Sequence, residues 1–317
     1  INERNIKIWS TIGARATLGI AALELAKTMD NLMVLTCDVS TSAGLDRYRK
    51  TYPEKYLDLG IAEQNMIGVA AGLASENFNV ITTTFAPFQT MRCCEQIKVN
   101  LGYMKQKICM VGLASGLVLG TLGYTHCCIE DIGILRSIPN LTIISPADSA
   151  EAVKAVLAGL KHKQSLYVRL TGGANISQIY EDDYDFKIGK SITLKEGSDI
   201  TIAVTGTQLK NAISVSEKLG EEGMSIEILY FHTIKPFDHQ SLRQSVKKTK
   251  KLVSLEELSA HDGIFNQCLR SCIGIDGVKY KQMAIDDFIH GYGSYEDLCK
   301  KAGLSDNDLE RNIRELI

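Results

Sequence analysis

One carboxylate, Glu63, stands at the head of the apolar run Ile67-Gly68-Val69-Ala70-Ala71-Gly72-Leu73-Ala74. A helix that apolar all round belongs inside a protein. An acid at the mouth of a buried helix has two readings. In the first, the helix macrodipole stabilises it by ~0.3–1 kcal/mol and it does nothing else. In the second, it is held in low-dielectric packing for chemistry and needs a partner there. Gly68 and Gly72 each cost the helix roughly 1 kcal/mol relative to alanine. Their presence predicts the close approach of a flat ligand or another backbone.

Other residue types with chemical potential recur at intervals. Phe85 and Phe88 flank Pro87; they are either core residues or a clamp for a flat ring. His126 closes a glycine-rich loop, Gly112 to Gly123, and is either a satisfied structural histidine or a ligand contact. That loop lacks the patterns that cradle nucleotide phosphates. Asp38 and Ser42 lie in the polar string Cys37-Asp38-Val39-Ser40-Thr41-Ser42. The nine cysteines include the vicinal pairs Cys93-Cys94 and Cys127-Cys128 but no C-x-x-C. Zinc sites space their ligands by two to four residues in two separated pairs, so reduced thiols fit better than a metal.

The elements that must position these residues alternate in type. Expected strands are Leu32–Thr36, Asn79–Phe85, Lys107–Gly112, Leu141–Ser145 and Leu166–Leu170. Between them lie helical patterns at Thr11–Met29, from Glu63, at Met91–Asn100 and at Ser149–Leu160, the last capped by Asp148 or Ser149. Continuous apolar strands with intervening helices predict a mostly parallel α/β sheet covered on both faces. The chain then turns polar and acidic. A second, smaller α/β unit follows, with strands at Asp199–Thr205, Met224–Tyr230 and Lys251–Leu255, a turn at Lys235-Pro236 and two short terminal helices. The expected division is residues 1–175, a linker over 176–190, and 191–317. In open α/β sheets ligands sit at the carboxyl ends of strands, and that is where Asp38, Glu63, Phe85, Phe88 and His126 fall.

Composition excludes little but is useful. The formal charge of −2 gives no basic footprint for nucleic acid. No apolar run approaches the ~18 residues of a membrane span. Neither nucleic acid nor membrane is expected as a partner, and the expected location is cytoplasmic.

Together these strings resemble the C-terminal half of transketolase, its pyrimidine-binding domain plus its C-terminal domain. They are also similar to β subunits of 2-oxoacid dehydrogenases and to the matching part of deoxyxylulose-phosphate synthase. The markers are Asp58-Leu59-Gly60-Ile61-Ala62-Glu63-Gln64-Asn65, Thr84-Phe85-Ala86-Pro87-Phe88, Thr125-His126 ahead of Glu130-Asp131-Ile132, and Pro139-Asn140. In the second unit they are Thr233-Ile234-Lys235-Pro236-Phe237-Asp238 and Glu256-Glu257. The resemblance covers nearly the whole chain.

The resemblance implies thiamine diphosphate as cofactor. Glu63 then matches the glutamate that hydrogen-bonds N1′ of the aminopyrimidine, favouring the tautomer that takes the C2 proton. Phe85 and Phe88 match the aromatic wall against the pyrimidine, and Asp38 a cofactor-proximal aspartate. His126 matches a histidine that contacts substrate. Arg15, Ser42 and Arg169 fall where transketolases hold the sugar phosphate, a role arginine suits. Two departures stand out. The Gly-Asp-Gly…Asn motif for Mg²⁺ and diphosphate is missing; His261-Asp262-Gly263 and Ile275-Asp276-Gly277 lie in the wrong domain. No metal is therefore expected on this chain. The resemblance implies one subunit of a split enzyme, active only with an N-terminal-half partner that binds Mg²⁺. Two copies of each chain would form a heterotetramer, with this chain touching its own copy. Secondly, transketolases carry histidine and aspartate, both contacting the sugar, where this chain has Ala114 and Leu122. The expected reaction is transfer of a two-carbon ketol unit from a ketose to an aldehyde, on an unusual or nucleotide-linked sugar. Two other readings stay open: a decarboxylating 2-oxoacid dehydrogenase subunit, which a lipoyl acceptor assay would identify, and a non-catalytic scaffold.

Overall fold

The computed structural model describes residues 3–172, 177–180 and 183–317. The expected linker falls partly outside them, at 176, 181 and 182. The first unit contains α1 (Glu3–Ala26), β1 (Leu32–Thr36), α2 (Asp46–Thr51), β2 (Tyr56–Asp58), α3 (Glu63–Ser75), β3 (Asn79–Phe85), α4 (Ala86–Gln89) and α5 (Cys94–Gln96). A widened π-helical stretch, Ile97–Tyr103, follows. Then come β4 (Cys109–Ser115), α6 (Asp131–Arg136), β5 (Leu141–Ile144), α7 (Ser149–Lys161) and β6 (Ser165–Thr171). The second unit holds β7 (Ile192–Lys195), β8 (Ile200–Val204), α8 (Leu209–Glu221), β9 (Ile226–Tyr230), β10 (Thr233–Lys235), α9 (His239–Thr249), β11 (Lys251–Ser259), α10 (Phe265–Cys272), β12 (Lys279–Ile285), α11 (Tyr295–Lys301) and α12 (Asp306–Leu316).

Two sheets result. The first runs β10-β5-β6-β4-β3-β1-β2 and the second β12-β11-β8-β9-β7. Every pairing is parallel except the edge pairs β10–β5 and β7–β9. Strands β4, β5 and β6 are buried along their whole length, as continuous apolar strands between helical layers must be. Helices α1 and α7 cover one face through Leu18, Ala22, Ala155 and Val156. Helix α3 covers the other through Met66, Ile67 and Ala70, in a core that runs on into the second unit at Leu229, Phe231 and Leu242. Asp148 caps α7 by accepting from the Glu151 N–H at 2.8 Å. No helix among the described residues is long and apolar enough to cross a membrane.

Three features differ from the sequence expectation. The single helix expected at Met91–Asn100 starts only at Cys94 and runs on as the π-helical stretch; its first residues are a turn in which the Arg92 N–H donates to Pro87 and the Cys93 N–H to Thr90, each at 3.2 Å. Strands β7 and β12 form although neither carries a continuous apolar run; both are edge strands with one side toward solvent. The second unit's β10 leaves its own sheet and pairs with β5 of the first, Thr233 opposite Ile144 and Lys235 opposite Ile143. Lys235 Nζ fixes that crossing by donating to the carbonyls of Arg136 (3.0 Å) and Ile138.

A buried acid ties the units together a second time. Glu151 of α7 accepts from the hydroxyls of Tyr184, just ahead of the second unit, and Tyr230, on β9, and from the Ala147 N–H at 2.7 Å. Burial pushes its carboxyl up from the ordinary value to about 7, with the nearby Asp148 charge adding to the rise. A raised acid holds its proton in the folded state after the unfolded chain has released it. Its contribution to stability is therefore full below pH about 4.5 and is lost as pH rises to about 7. Urea unfolding at pH 5 and pH 7.5 should show the parent losing stability relative to Glu151→Gln across that window. Parallel pH profiles would contradict the assignment.

Candidate active site at the carboxyl edge of the first sheet

Strands β2, β1, β3 and β4 are parallel neighbours, so their carboxyl ends and the loops after them share one edge of the sheet. The loop after β1 begins at Asp38, whose φ of 56° lies in the left-handed region. Asp58, at the end of β2, pins this turn. Its Oδ1 accepts from the backbone N–H of Asp38 and of Gly60, both at 2.9 Å, and its Oδ2 from Thr36 at 3.2 Å. Burial acts to raise its pKa, but these hydrogen bonds prevail and leave it lowered. Asp58 thus remains a charged anchor for the turn that delivers Glu63.

Glu63 is the first residue of α3 and is buried. Its Oε1 accepts from Arg92 Nη1 at 2.7 Å; the Arg92 side chain is 42% exposed and that of Glu63 only 4%. The Arg92 guanidinium also lies 4.1 Å over the Phe88 ring. Phe85 and Phe88 meet edge to face with centroids 6.3 Å apart. His126 lies 6.1 Å from Phe85 and 5.5 Å from Phe88, also edge to face. All three rings are half-buried. Thr125 Oγ1 shares a 3.0 Å hydrogen bond with His126 Nδ1 and orients the imidazole. Of the eight residues singled out on sequence grounds, Glu63, Phe85, Phe88 and His126 lie in one constellation, joined by Arg92, which sequence reasoning missed. The signal for it is the turn that replaces the start of the expected helix, visible only once the chain is folded.

Arg15 and Ser42 sit on the adjoining wall. Loop 40–44 packs against α1 so tightly that a Cβ on Gly19 would lie 1.9 Å from the Gly44 carbonyl oxygen. Arg15 and Ser42 are both half-buried, and among the described residues neither side chain makes a hydrogen bond or ion pair. Gly19→Ala should therefore displace the Ser42 loop and lower the melting temperature while leaving the aromatic trio in place. Unchanged melting would mean that this contact is loose.

Arg169 does not join the set, and the expectation that it holds a sugar phosphate is corrected here. It is 2% exposed. Its Nε bonds both oxygens of Asp131 at 3.2 and 3.0 Å, its Nη1 donates to Thr171 at 2.8 Å, and its Nη2 donates to the carbonyls of Cys128 and Glu257 at 3.2 and 3.0 Å. With its donors engaged inside the protein, it joins β6, α6 and β11. Asp38 is exposed on its loop, at the same edge but outside the aromatic trio. Of the two altered positions in the glycine-rich loop, Leu122 is 50% exposed whereas Ala114 is fully buried at the end of β4. Of the two, only Leu122 reaches the protein surface.

Two buried thiols near the site, Cys37 and Cys93, are poor nucleophiles. Desolvation is the main cause that pushes Cys37 up to about 11 and Cys93 up to about 12. Among the described residues no group of three histidine, cysteine or acidic side chains could hold a metal ion. The chemistry available is that of one buried, arginine-paired carboxylate facing an aromatic wall with a histidine at its rim. That donor set suits a flat heterocycle with a ring nitrogen.

Comparison with known proteins gives this arrangement a context. Residues 10–174 match the pyrimidine-binding domain of transketolase, and residues 189–309 match the transketolase C-terminal domain. The chain is 32% identical to a 6-deoxy-6-sulfo-D-fructose transketolase subunit from Clostridium sp. (strain MSTE9), over 93% of this chain and 91% of that protein. It is 33% identical to one of the subunits of an apulose-4-phosphate transketolase from Phocaeicola vulgatus, over 80% and 81% respectively. A solved structure described as a split gene transketolase, an inactive beta4 tetramer, superposes with a TM-score of 0.88 at 28% identity, covering 96% of this chain and 98% of that one.

Proposed function

The chain belongs to the transketolase family, and we propose that it is the pyrimidine-binding subunit of a split enzyme, with Glu63, Phe85, Phe88 and His126 forming its half of the active site. The family is thiamine diphosphate-dependent, and thiamine diphosphate, when bound, supplies the carbanion chemistry of ketol transfer. The observation that carries the assignment is the buried Glu63 carboxylate beside the Phe85–Phe88–His126 cluster at one sheet edge. These residues fit an aminopyrimidine: aromatic walls for a flat ring and a carboxylate for its nitrogen. Glu63 holds a proton at N1′. Phe85 and Phe88 shield the ring from water. His126 donates to an oxygen of the sugar. Asp38 flanks the cofactor side of the cleft, and the unpartnered Arg15 and Ser42 bind the anionic end of the substrate.

The diphosphate and Mg²⁺ belong to the partner chain in this reading, because no motif for them occurs in this sequence. The assembly is two copies of each chain. The outer stripe of α3 favours such a contact: Gly68 and Gly72 are exposed, and a Cβ on either would meet nothing within 4 Å. The proposed substrate is an unusual sugar. Leu122 presents a hydrocarbon surface where the family carries a polar side chain, and the two related proteins are described as acting on sulfofructose and apulose phosphate.

The test is reconstitution. The purified chain alone should show no ketol transfer. Addition of the partner chain, thiamine diphosphate and Mg²⁺ should produce it. Turnover by this chain alone would refute the split. Ordinary turnover of xylulose 5-phosphate with ribose 5-phosphate would refute the unusual substrate and leave the split intact.

A further inference from the structure

Arg92 touches both halves of the site and has no role in the scheme above. Its backbone is held: the carbonyl accepts from Gln64 Nε2 on α3 at 3.0 Å, and the N–H donates to Pro87. Its side chain spans from Glu63 to the face of Phe88. Gln64 and Glu63 are neighbours on α3, so Arg92 is anchored at both ends to the segment it steers. It occupies one carboxylate oxygen only. Oε1 takes the guanidinium at 2.7 Å, while Oε2 has no hydrogen-bond partner among the described residues.

We infer that Arg92 is a positioning residue that pins Oε1 of Glu63 and turns Oε2 toward the ring nitrogen of the bound cofactor. This rests on the assignment of Glu63 above. A buried carboxylate with both oxygens free would rotate about its terminal torsion, which is broad. An ion pair at one oxygen removes that freedom and compensates the buried charge. The cation–π contact with Phe88 sets the depth of the guanidinium, so ring wall and carboxylate move as one unit. Lysine could supply the charge but not the planar face that lies on Phe88.

The test uses the complex of this chain with its diphosphate-binding partner and Mg²⁺, titrated calorimetrically. Two probes are compared: thiamine diphosphate and its analogue with carbon in place of N1′. The parent should prefer thiamine diphosphate. Arg92→Met should weaken its binding by about tenfold or more, the size of one charge-assisted hydrogen bond, and leave the analogue unchanged. Arg92→Lys should keep part of the preference. Equal losses for both probes would mean that Arg92 is merely structural, and a full preference in Arg92→Met would mean that it has no effect; either overturns the inference. Glu63→Gln separates the two levels. If Glu63→Gln abolishes the preference and Arg92→Met does not, the inference alone fails. If Glu63→Gln retains it, the functional assignment of Glu63 falls and the role of Arg92 with it.

Discussion

Glu63→Gln in the assembled enzyme should lower kcat by about 10²–10⁴-fold, the range of a positioned proton-transfer group. The substitution keeps side-chain size, removes the charge and turns one acceptor oxygen into an amide donor. It should fold, because the partner left behind, Arg92, has a 42% exposed side chain and can turn into water. A stability loss therefore cannot account for the expected drop. Kinetics at saturating cofactor, with a melting curve beside them, are the measurement. Near-parental kcat at an unchanged melting temperature would remove Glu63 from the mechanism and revive the scaffold reading.

Arg169→Met should unfold the protein rather than alter substrate affinity. The Arg169–Asp131 pair is buried on both sides, with side-chain exposures of 3% and 0%. Removing one partner of such a pair costs about 3–5 kcal/mol, because the other charge stays behind uncompensated. Here the surviving Asp131 would keep only the Tyr167 hydroxyl among its side-chain partners, at 2.8 Å. The carbonyls of Cys128 and Glu257 would lose a donor too. Replacing both charges together, in Arg169→Met with Asp131→Leu, should recover part of the loss. A well-folded Arg169→Met enzyme with a raised KM for a sugar phosphate would instead restore the binding role expected from sequence.

That reversal marks where the sequence stops being informative. Strands β1 and β3 and the head of α3 are legible because apolar runs between helical layers leave a strong local signature. Glu63, Phe85, Phe88 and His126 are legible for another reason: parallel strands bring the residues after their carboxyl ends to one edge. Arg169 sits in a string of the right kind, yet its fate is decided by Asp131, 38 positions earlier, and by a carbonyl 88 positions later. No local pattern encodes such a pairing. Arg92 is hidden likewise, because its importance comes from a turn inside a stretch with helical periodicity. Edge strands β7 and β12 escape because solvent on one side relaxes the demand for apolar residues, and the buried β10 escapes because three residues are too short for a periodic signal.

The excursion of β10 limits how this chain can be divided. Evolution and the laboratory both make use of places where a polypeptide can be cut and its pieces kept functional. The boundary between residues 175 and 191 looks like such a place, and the fold makes it a poor one. A fragment ending there would lack Thr233–Lys235, and the apolar β5, with Ile143 and Ile144, would become an open sheet edge ready to pair with another copy. The same cut would strip Tyr230 from Glu151 and the Glu257 carbonyl from Arg169. The two units are thus one heritable module, which a gene fission could separate from its partner but could not readily break again.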